Sequence, residues 1–121
     1  MAKIMIVEDD VQASLVLAEV VTMEGHTPII VNESFKVVSL ANATRPDAFI
    51  LDLMMPEPDG FKLCRMLRAT ARFVLTPILI VTALDDTDSR IVAFGAGAND
   101  YLVKPYHIEE LTSKLNALLS T

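Results

Sequence analysis

The stretch Phe49-Ile-Leu-Asp-Leu-Met-Met-Pro-Glu-Pro-Asp-Gly60 limits the possible folds of this chain more than any other. An apolar run ends on one carboxylate, Asp52, and then enters a turn made of Pro56, Pro58 and Gly60. Strands without polar alternation belong to parallel sheets covered on both faces, because every side chain then meets a packed layer. The prolines and the glycine stop a strand or a helix from simply continuing. Asp52 is therefore expected at the carboxyl end of a buried strand, the edge at which open α/β sheets bind their ligands.

The same design recurs along the chain. Lys3-Ile-Met-Ile-Val7 is a β-rich apolar run that stops on Glu8, Asp9 and Asp10. Residues 11–24 read as a helix, with Val11, Leu15, Ala18 and Val21 at helical spacing, Asp10 as its cap and Gly25 as its stop. Thr27-Pro-Ile-Ile-Val31 reads as a strand confined to the sheet edge, since Pro28 has no N–H to donate. A helix over 32–43 carries Phe35, Val38 and Ala41, and a helix after Gly60 carries Phe61, Cys64 and Leu67. The run 77–81 is a strand ending in Thr82-Ala83, and 85–94 is a weaker helix loosened by Gly95 and Gly97. A short strand over 101–103 leads into Lys104-Pro105, and 107–119 closes with Ile108, Leu111, Leu115 and Leu118 on one face. Five strands alternating with five helices predict a doubly wound, five-stranded parallel sheet in the flavodoxin-like order 2-1-3-4-5, three layers deep.

With neighbouring strands side by side, Glu8, Asp9, Asp52, Thr82 and Lys104 converge on one crevice. Three carboxylates against one ammonium require either raised pKa values or a hard cation with oxygen ligands. Mg²⁺ suits that need, because it takes one or two carboxylates and keeps waters that phosphoryl oxygens can replace. Thr82 and Lys104 then contact the phosphoryl group and Asp52 acts as nucleophile. The formal charge of −6, with scattered Lys and Arg, argues against direct nucleic-acid binding. The single cysteine, Cys64, has no internal disulfide partner, and the N-terminus has no signal-peptide pattern, so the cytoplasm is the expected compartment. Gln12, Ser14, Glu19 and Thr22 interrupt the longest candidate membrane stretch. No linker divides residues 1–121, so a single domain is expected.

Val7-Glu-Asp-Asp10, Leu51-Asp-Leu-Met-Met-Pro56 with Asp59-Gly60, Val81-Thr-Ala83, and Gly97-Ala-Asn-Asp-Tyr101 with Lys104-Pro105, taken in this order, resemble the receiver domains of two-component response regulators. The likeness runs from Lys3 to Leu119. It implies that Asp52 is a phosphoacceptor served by the phosphohistidine of a sensor histidine kinase or a histidine phosphotransfer protein. Such a domain catalyses its own phosphorylation and slow dephosphorylation rather than turning over a separate substrate. The resemblance also implies that Glu8, acting through water, together with Asp9, Asp52 and the backbone carbonyl of Met54, holds Mg²⁺, with Mn²⁺ as the substitute. Thr82, Ala83 and Lys104 would contact the phosphoryl group, and Tyr101 would be the aromatic that turns inward on activation. The Lys104-Pro105 bond would be cis, whereas the residues alone favour trans.

The implied output surface is the fourth helix, fifth strand and fifth helix, directed at an output domain or effector protein. Relatives that are transcription factors dimerise there through charged pairs. This chain has Asn99 where an Asp is common and Lys114 where an Arg is common, and Lys cannot reproduce a forked guanidinium contact. Met54 and Leu84, two residues beyond Asp52 and Thr82, occupy the places that tune phosphoryl lifetime. Neither can orient a water, which predicts slow self-dephosphorylation.

Other readings fit less well. A phosphohydrolase with an aspartyl nucleophile needs a second Asp where Met54 stands, and a degenerate receiver would lack one of the acidic, Thr or Lys positions. A flavin binder of this topology needs a Ser/Thr/Gly-rich phosphate loop after the first strand, which is absent. Asp52 as a mere helix cap leaves the second acidic cluster unexplained.

Overall fold

The computed structural model describes residues 1–120; Thr121, the last residue of the expected domain, lies outside them. Among the described residues, β1 (Lys3–Val7), α1 (Val11–Met23), β2 (Thr27–Val31), α2 (Val37–Thr44), β3 (Ala48–Leu51), α3 (Gly60–Arg68), β4 (Ile78–Thr82), α4 (Thr87–Ala96), β5 (Asp100–Val103) and α5 (Ile108–Leu119) alternate. The five strands form one parallel sheet in the order β2-β1-β3-β4-β5, as the sequence predicts, with the Pro28 strand at one edge.

The apolar runs have their cause in the two cores that sandwich this sheet. Met5, Val7, Phe49, Leu51, Ile78, Ile80 and Tyr101 point into one core, which α2, α3 and α4 cover. Ile4, Ile6, Ile50, Leu79, Val81 and Leu102 point into the other, against α1 and α5. Because successive strand residues face opposite layers and both layers are dry, neither face tolerates polar alternation. Phe49 and Phe73 meet edge to face, with centroids 5.4 Å apart and planes at 87°.

Side-chain carboxylates start three of the helices. Asp10, Asp59 and Asp86 accept the backbone N–H groups of Ala13, Lys62 and Ser89, which are otherwise unpaired donors of a first helical turn. Gly25 and Gly97 end α1 and α4 with φ of +86° and +116°, a region that glycine enters without steric cost.

The structure corrects several facial assignments. The inner face of α1 is Ser14, Leu17, Ala18, Val20 and Val21, whereas Val11 and Leu15 are about half exposed. Apolar residues occur on every side of this helix, so periodicity alone cannot fix its rotation; a buried polar contact helps to fix it. Ser14 is fully enclosed, its hydroxyl donating to the Val11 carbonyl at 2.7 Å and accepting from the Asn32 amide at 3.0 Å. The expected helix over 32–43 begins as a 3-10 turn, Ser34–Lys36, and becomes α-helical only at Val37. At three residues per turn the 3-10 geometry rotates Phe35 off the inner face, leaving it 66% exposed. Gly95 lies inside α4 rather than ending it, and Ile108 is turned outward.

Candidate functional site

Strand register builds the site. Val7 lies beside Leu51, Leu51 beside Ile80, and Thr82 beside Val103. The residues that follow, Glu8, Asp52 and Lys104, therefore emerge at the same sheet edge. Two backbone bonds extend the ladders into them: the Asp52 N–H donates to the Val7 carbonyl at 3.1 Å, and the Lys104 N–H to the Thr82 carbonyl at 2.8 Å.

Lys104 Nζ bridges the two carboxylates, 2.5 Å from Glu8 Oε1 and 3.0 Å from Asp52 Oδ2. The other oxygens are met by backbone donors. Asp10 N–H donates to Glu8 Oε2 at 3.1 Å, and Met54 N–H donates to Asp52 Oδ1 at 3.0 Å. Glu8 is 2% exposed and Asp52 7%, which makes each of these contacts a replacement for lost water.

The two acids respond differently to burial. Burial is the largest influence on both and pushes each upward. At Glu8 it prevails, with Asp52's charge adding to it, and the carboxyl is held above its ordinary value. At Asp52 the Met54 N–H and the Lys104 ammonium together outweigh burial, with a smaller contribution from Thr82, and the carboxyl is held below its ordinary value. Burial lowers Lys104, but its bonds to Glu8 and Asp52 prevail and hold the ammonium charged above its ordinary value. The same lysine thus serves two carboxyls that their surroundings pull in opposite directions.

Thr82 is fully buried beside this pair, its Oγ1 accepting the Leu84 N–H at 3.4 Å. Tyr101 is 3% exposed and already stands inward, its hydroxyl donating to the Leu84 carbonyl at 2.7 Å. Ala83 is exposed, Met54 is about half exposed, and Leu84 packs partly against the core. Asp9 lies exposed at the rim and takes no part in the ion pairs. The Lys104-Pro105 peptide is cis, and so is Glu57-Pro58 in the turn after Asp52. That turn requires Gly60, where an added Cβ would run into the Asp52 carbonyl and lie 2.6 Å from the Leu53 Cα.

Among the described residues, no three His, Cys, Asp or Glu side chains gather closely enough to cage a metal by themselves. The acidic groups at the edge nonetheless offer only oxygen: the Glu8 and Asp52 carboxylates, with the exposed Asp9 next in the chain. That set suits a hard cation that takes few carboxylates and completes its shell with water.

Three contributors escape the sequence reading. The Asn32 amide donates to the Glu8 carbonyl at 2.8 Å as well as to Ser14, fixing the strand end that carries Glu8. Its signal was available, since Asn32 directly follows an apolar strand, as Glu8 and Asp52 do. Arg90 lies over the Tyr101 ring, and only its helical spacing to Phe94 hinted at a shared face. Arg68 donates to the carbonyls of Gly97, Phe73 and Thr76 and to Asn99 Oδ1, a contact set that no sequence pattern announces.

The model of the response regulator receiver domain matches residues 4–116. Response regulator MprA of Mycobacterium ulcerans is 38% identical over 117 residues, which are 97% of this chain and 50% of that protein. The chain thus spans about half the length of the curated relatives it matches. A putative response regulator from Chloroflexus aurantiacus superposes with a TM-score of 0.95 at 32% identity, covering 99% of this chain and 98% of that one. The receiver domain of sensor histidine kinase PA1611 from Pseudomonas aeruginosa, solved with a magnesium ion coordinated in its active site cleft, gives a TM-score of 0.91 at 29% identity over 99% of this chain and 98% of that one. Identity sustained over almost the whole chain, on top of such close superposition, makes the likeness one of sequence as well as shape: the chain belongs to the family of response regulator receiver domains.

Proposed function

We propose that residues 1–121 act in the cytoplasm as a single receiver domain. In this reading Asp52 accepts a phosphoryl group from the phosphohistidine of a sensor histidine kinase or a histidine phosphotransfer protein, in a Mg²⁺-dependent reaction. The observation that carries the reading is one lysine bridging two buried carboxylates at the carboxyl edge of the sheet, with Asp52 held ionised. An ionised carboxylate is a nucleophile that needs no general base. In the transfer, an Asp52 oxygen attacks phosphorus; the new O–P bond forms as the P–N bond breaks, and the departing imidazole keeps the electron pair. Lys104 exchanges its contact with Asp52 for a phosphoryl oxygen, and Thr82 and Ala83 contact the remaining ones. Mg²⁺, held by Glu8 through water, by Asp9 and Asp52, and by the Met54 carbonyl, would neutralise charge on the phosphoryl oxygens, and Mn²⁺ offers the same oxygen chemistry.

The experiment is phosphoryl uptake from a small phosphodonor by the native protein and by Asp52→Asn, each with Mg²⁺ and with chelator. Uptake only by the native protein with metal is the expected result; uptake by Asp52→Asn, or undiminished uptake in chelator, contradicts the reading.

The signal would leave through the face formed by α4, β5 and α5, toward an output domain, an effector protein or a second copy of the chain, by population shift. Two residues relevant to a homodimer are engaged within the protomer: Lys114 pairs with Asp100 at 3.2 Å, and Asn99 accepts Arg68 at 2.8 Å. A dimer through this face would have to exchange those contacts.

Signal lifetime is set beside Asp52. Hydrolysis needs a water aligned on phosphorus, and the half-exposed Met54 and the partly packed Leu84 have no group to align one. Met54→Asn combined with Leu84→Glu is expected to speed phosphoryl loss by roughly tenfold or more, on the scale of one positioned water-binding group. A time course of phosphoryl loss for both proteins checks this, and equal rates would contradict it.

A further inference from the structure

We infer that Arg90 and Phe94 of α4 form a clamp that holds Tyr101 inward, which makes Arg90 a positioning residue for phosphorylation rather than a solvated helix charge. The inference rests on the reading of Asp52 as phosphoacceptor and goes beyond it, by naming what sets the resting position of the aromatic. Residues four apart share one side of a helix, so Arg90 and Phe94 approach the same ring together. The guanidinium carbon of Arg90 lies 4.6 Å from the Tyr101 centroid, within the range over which a cation is attracted to a ring face. The Phe94 centroid lies 6.3 Å away with planes at 36°, within the range of aromatic pairs. A third contact fixes the far end of the ring, where the hydroxyl donates to the Leu84 carbonyl at 2.7 Å.

Arg90 makes no ion pair among the described residues, so its place over the ring is not the by-product of a salt bridge. The helix that carries it is held at both ends. Asp86 caps the N-terminus, and Arg68 reaches across from α3 to donate to the Gly97 carbonyl at 3.0 Å and to Asn99 at 2.8 Å. A jaw on so fixed a helix keeps the ring in place, and through the Leu84 carbonyl the ring steadies the loop that begins at Thr82. Thr82 is the residue assigned to the phosphoryl group. A loop already in position removes part of the conformational cost from phosphorylation, because the competent state is more populated beforehand.

The test uses two substitutions and two readouts. Ring-labelled tyrosine observed by NMR reports the Tyr101 position, with Tyr106→Phe assigning the signals, since the chain has two tyrosines. Apparent affinity for beryllofluoride, a phosphoryl mimic on Asp52, reports coupling to the site. Arg90→Ala is expected to shift the ring signal outward and to weaken beryllofluoride affinity by about two- to fivefold, the factor a partly exposed cation–ring contact provides. Arg90→Lys keeps a cation and is expected to restore most of both, a rescue that a purely structural role would not show. A Tyr101 signal unchanged in Arg90→Ala overturns the clamp. A released ring with native beryllofluoride affinity overturns the positioning role, and beryllofluoride binding that survives Asp52→Asn overturns instead the phosphoacceptor reading on which the inference rests.

Discussion

Replacing Lys104 with methionine is expected to cost the fold about 3 kcal/mol at neutral pH and to make its stability rise in mild acid. Methionine keeps much of the side-chain length but leaves Glu8 and Asp52, which are 2% and 7% exposed, facing each other without a counter-charge. Removing one partner of a fully buried pair costs roughly 3–5 kcal/mol, and the partial exposure of Lys104 places this case at the lower end. The pH response follows from the directions in which the groups are held. Asp52, held low, contributes stability that is present above its unfolded value of 3.8 and is lost as pH falls through its folded value. Lys104, held high, contributes stability that is present below its unfolded value of 10.5 and is lost only in alkali. Glu8, held high by burial, works in the opposite sense to Asp52: folded protein binds more protons than unfolded above 4.5, so its share of stability falls as pH rises. Loss of the ammonium removes the main group drawing Glu8 downward and enlarges that share. Thermal melts of Lys104→Met are therefore expected to move upward as pH is taken from about 8 to about 5, while the native protein changes little over the same range. Coincident melting curves for the two proteins would show that the ammonium does not hold these carboxylates together.

Asp9→Ala should separate chemistry from folding. Asp9 is exposed and outside the ion pairs, so its removal is expected to change stability by no more than about 0.5 kcal/mol. If it is a direct Mg²⁺ ligand, its loss should reduce metal-dependent phosphoryl uptake on the order of 100-fold or more, beyond the usual effect of removing an outer-shell partner. Two measurements decide: uptake across a Mg²⁺ titration, and the thermal midpoint with and without millimolar Mg²⁺. The native midpoint should rise with metal and the variant's should not. Equal uptake by both proteins would remove Asp9 from the metal site.

The edge place of the Pro28 strand was legible because proline cannot donate to a ladder, and the positions of Glu8, Asp52, Thr82 and Lys104 because they depend on where apolar runs stop. A run buried on both faces can end in a carboxylate, a hydroxyl or an ammonium only at its edge, so the sequence itself marks that edge. What was not legible depends on rotation and on contacts at a distance. The phase of α1 is set by Ser14 and Asn32, eighteen residues apart, and the many apolar residues between Val11 and Val21 fit several rotations equally well. An α-helical period turns Phe35 inward, but the chain makes a 3-10 turn there. The lysine bridge was the least visible part of the site. The sequence shows an excess of acid that a cation must balance, but not that Lys104 reaches Glu8 and Asp52 together while Asp9 stays at the rim. Arg90 and Arg68 read simply as charges on helices, since their partners are a ring and backbone carbonyls supplied by other elements.

The most direct test of the central claim is to find where the phosphoryl group goes. The protein is incubated with Mg²⁺ and a small phosphodonor, the acyl phosphate is reduced with borohydride to leave a stable homoserine at the modified aspartate, and the peptides are sequenced by mass. Homoserine is expected at position 52 and nowhere else, with none formed in chelator. Homoserine at Asp9 or another carboxylate with position 52 untouched, or a phosphoryl group on a side chain that borohydride leaves unchanged, would contradict it.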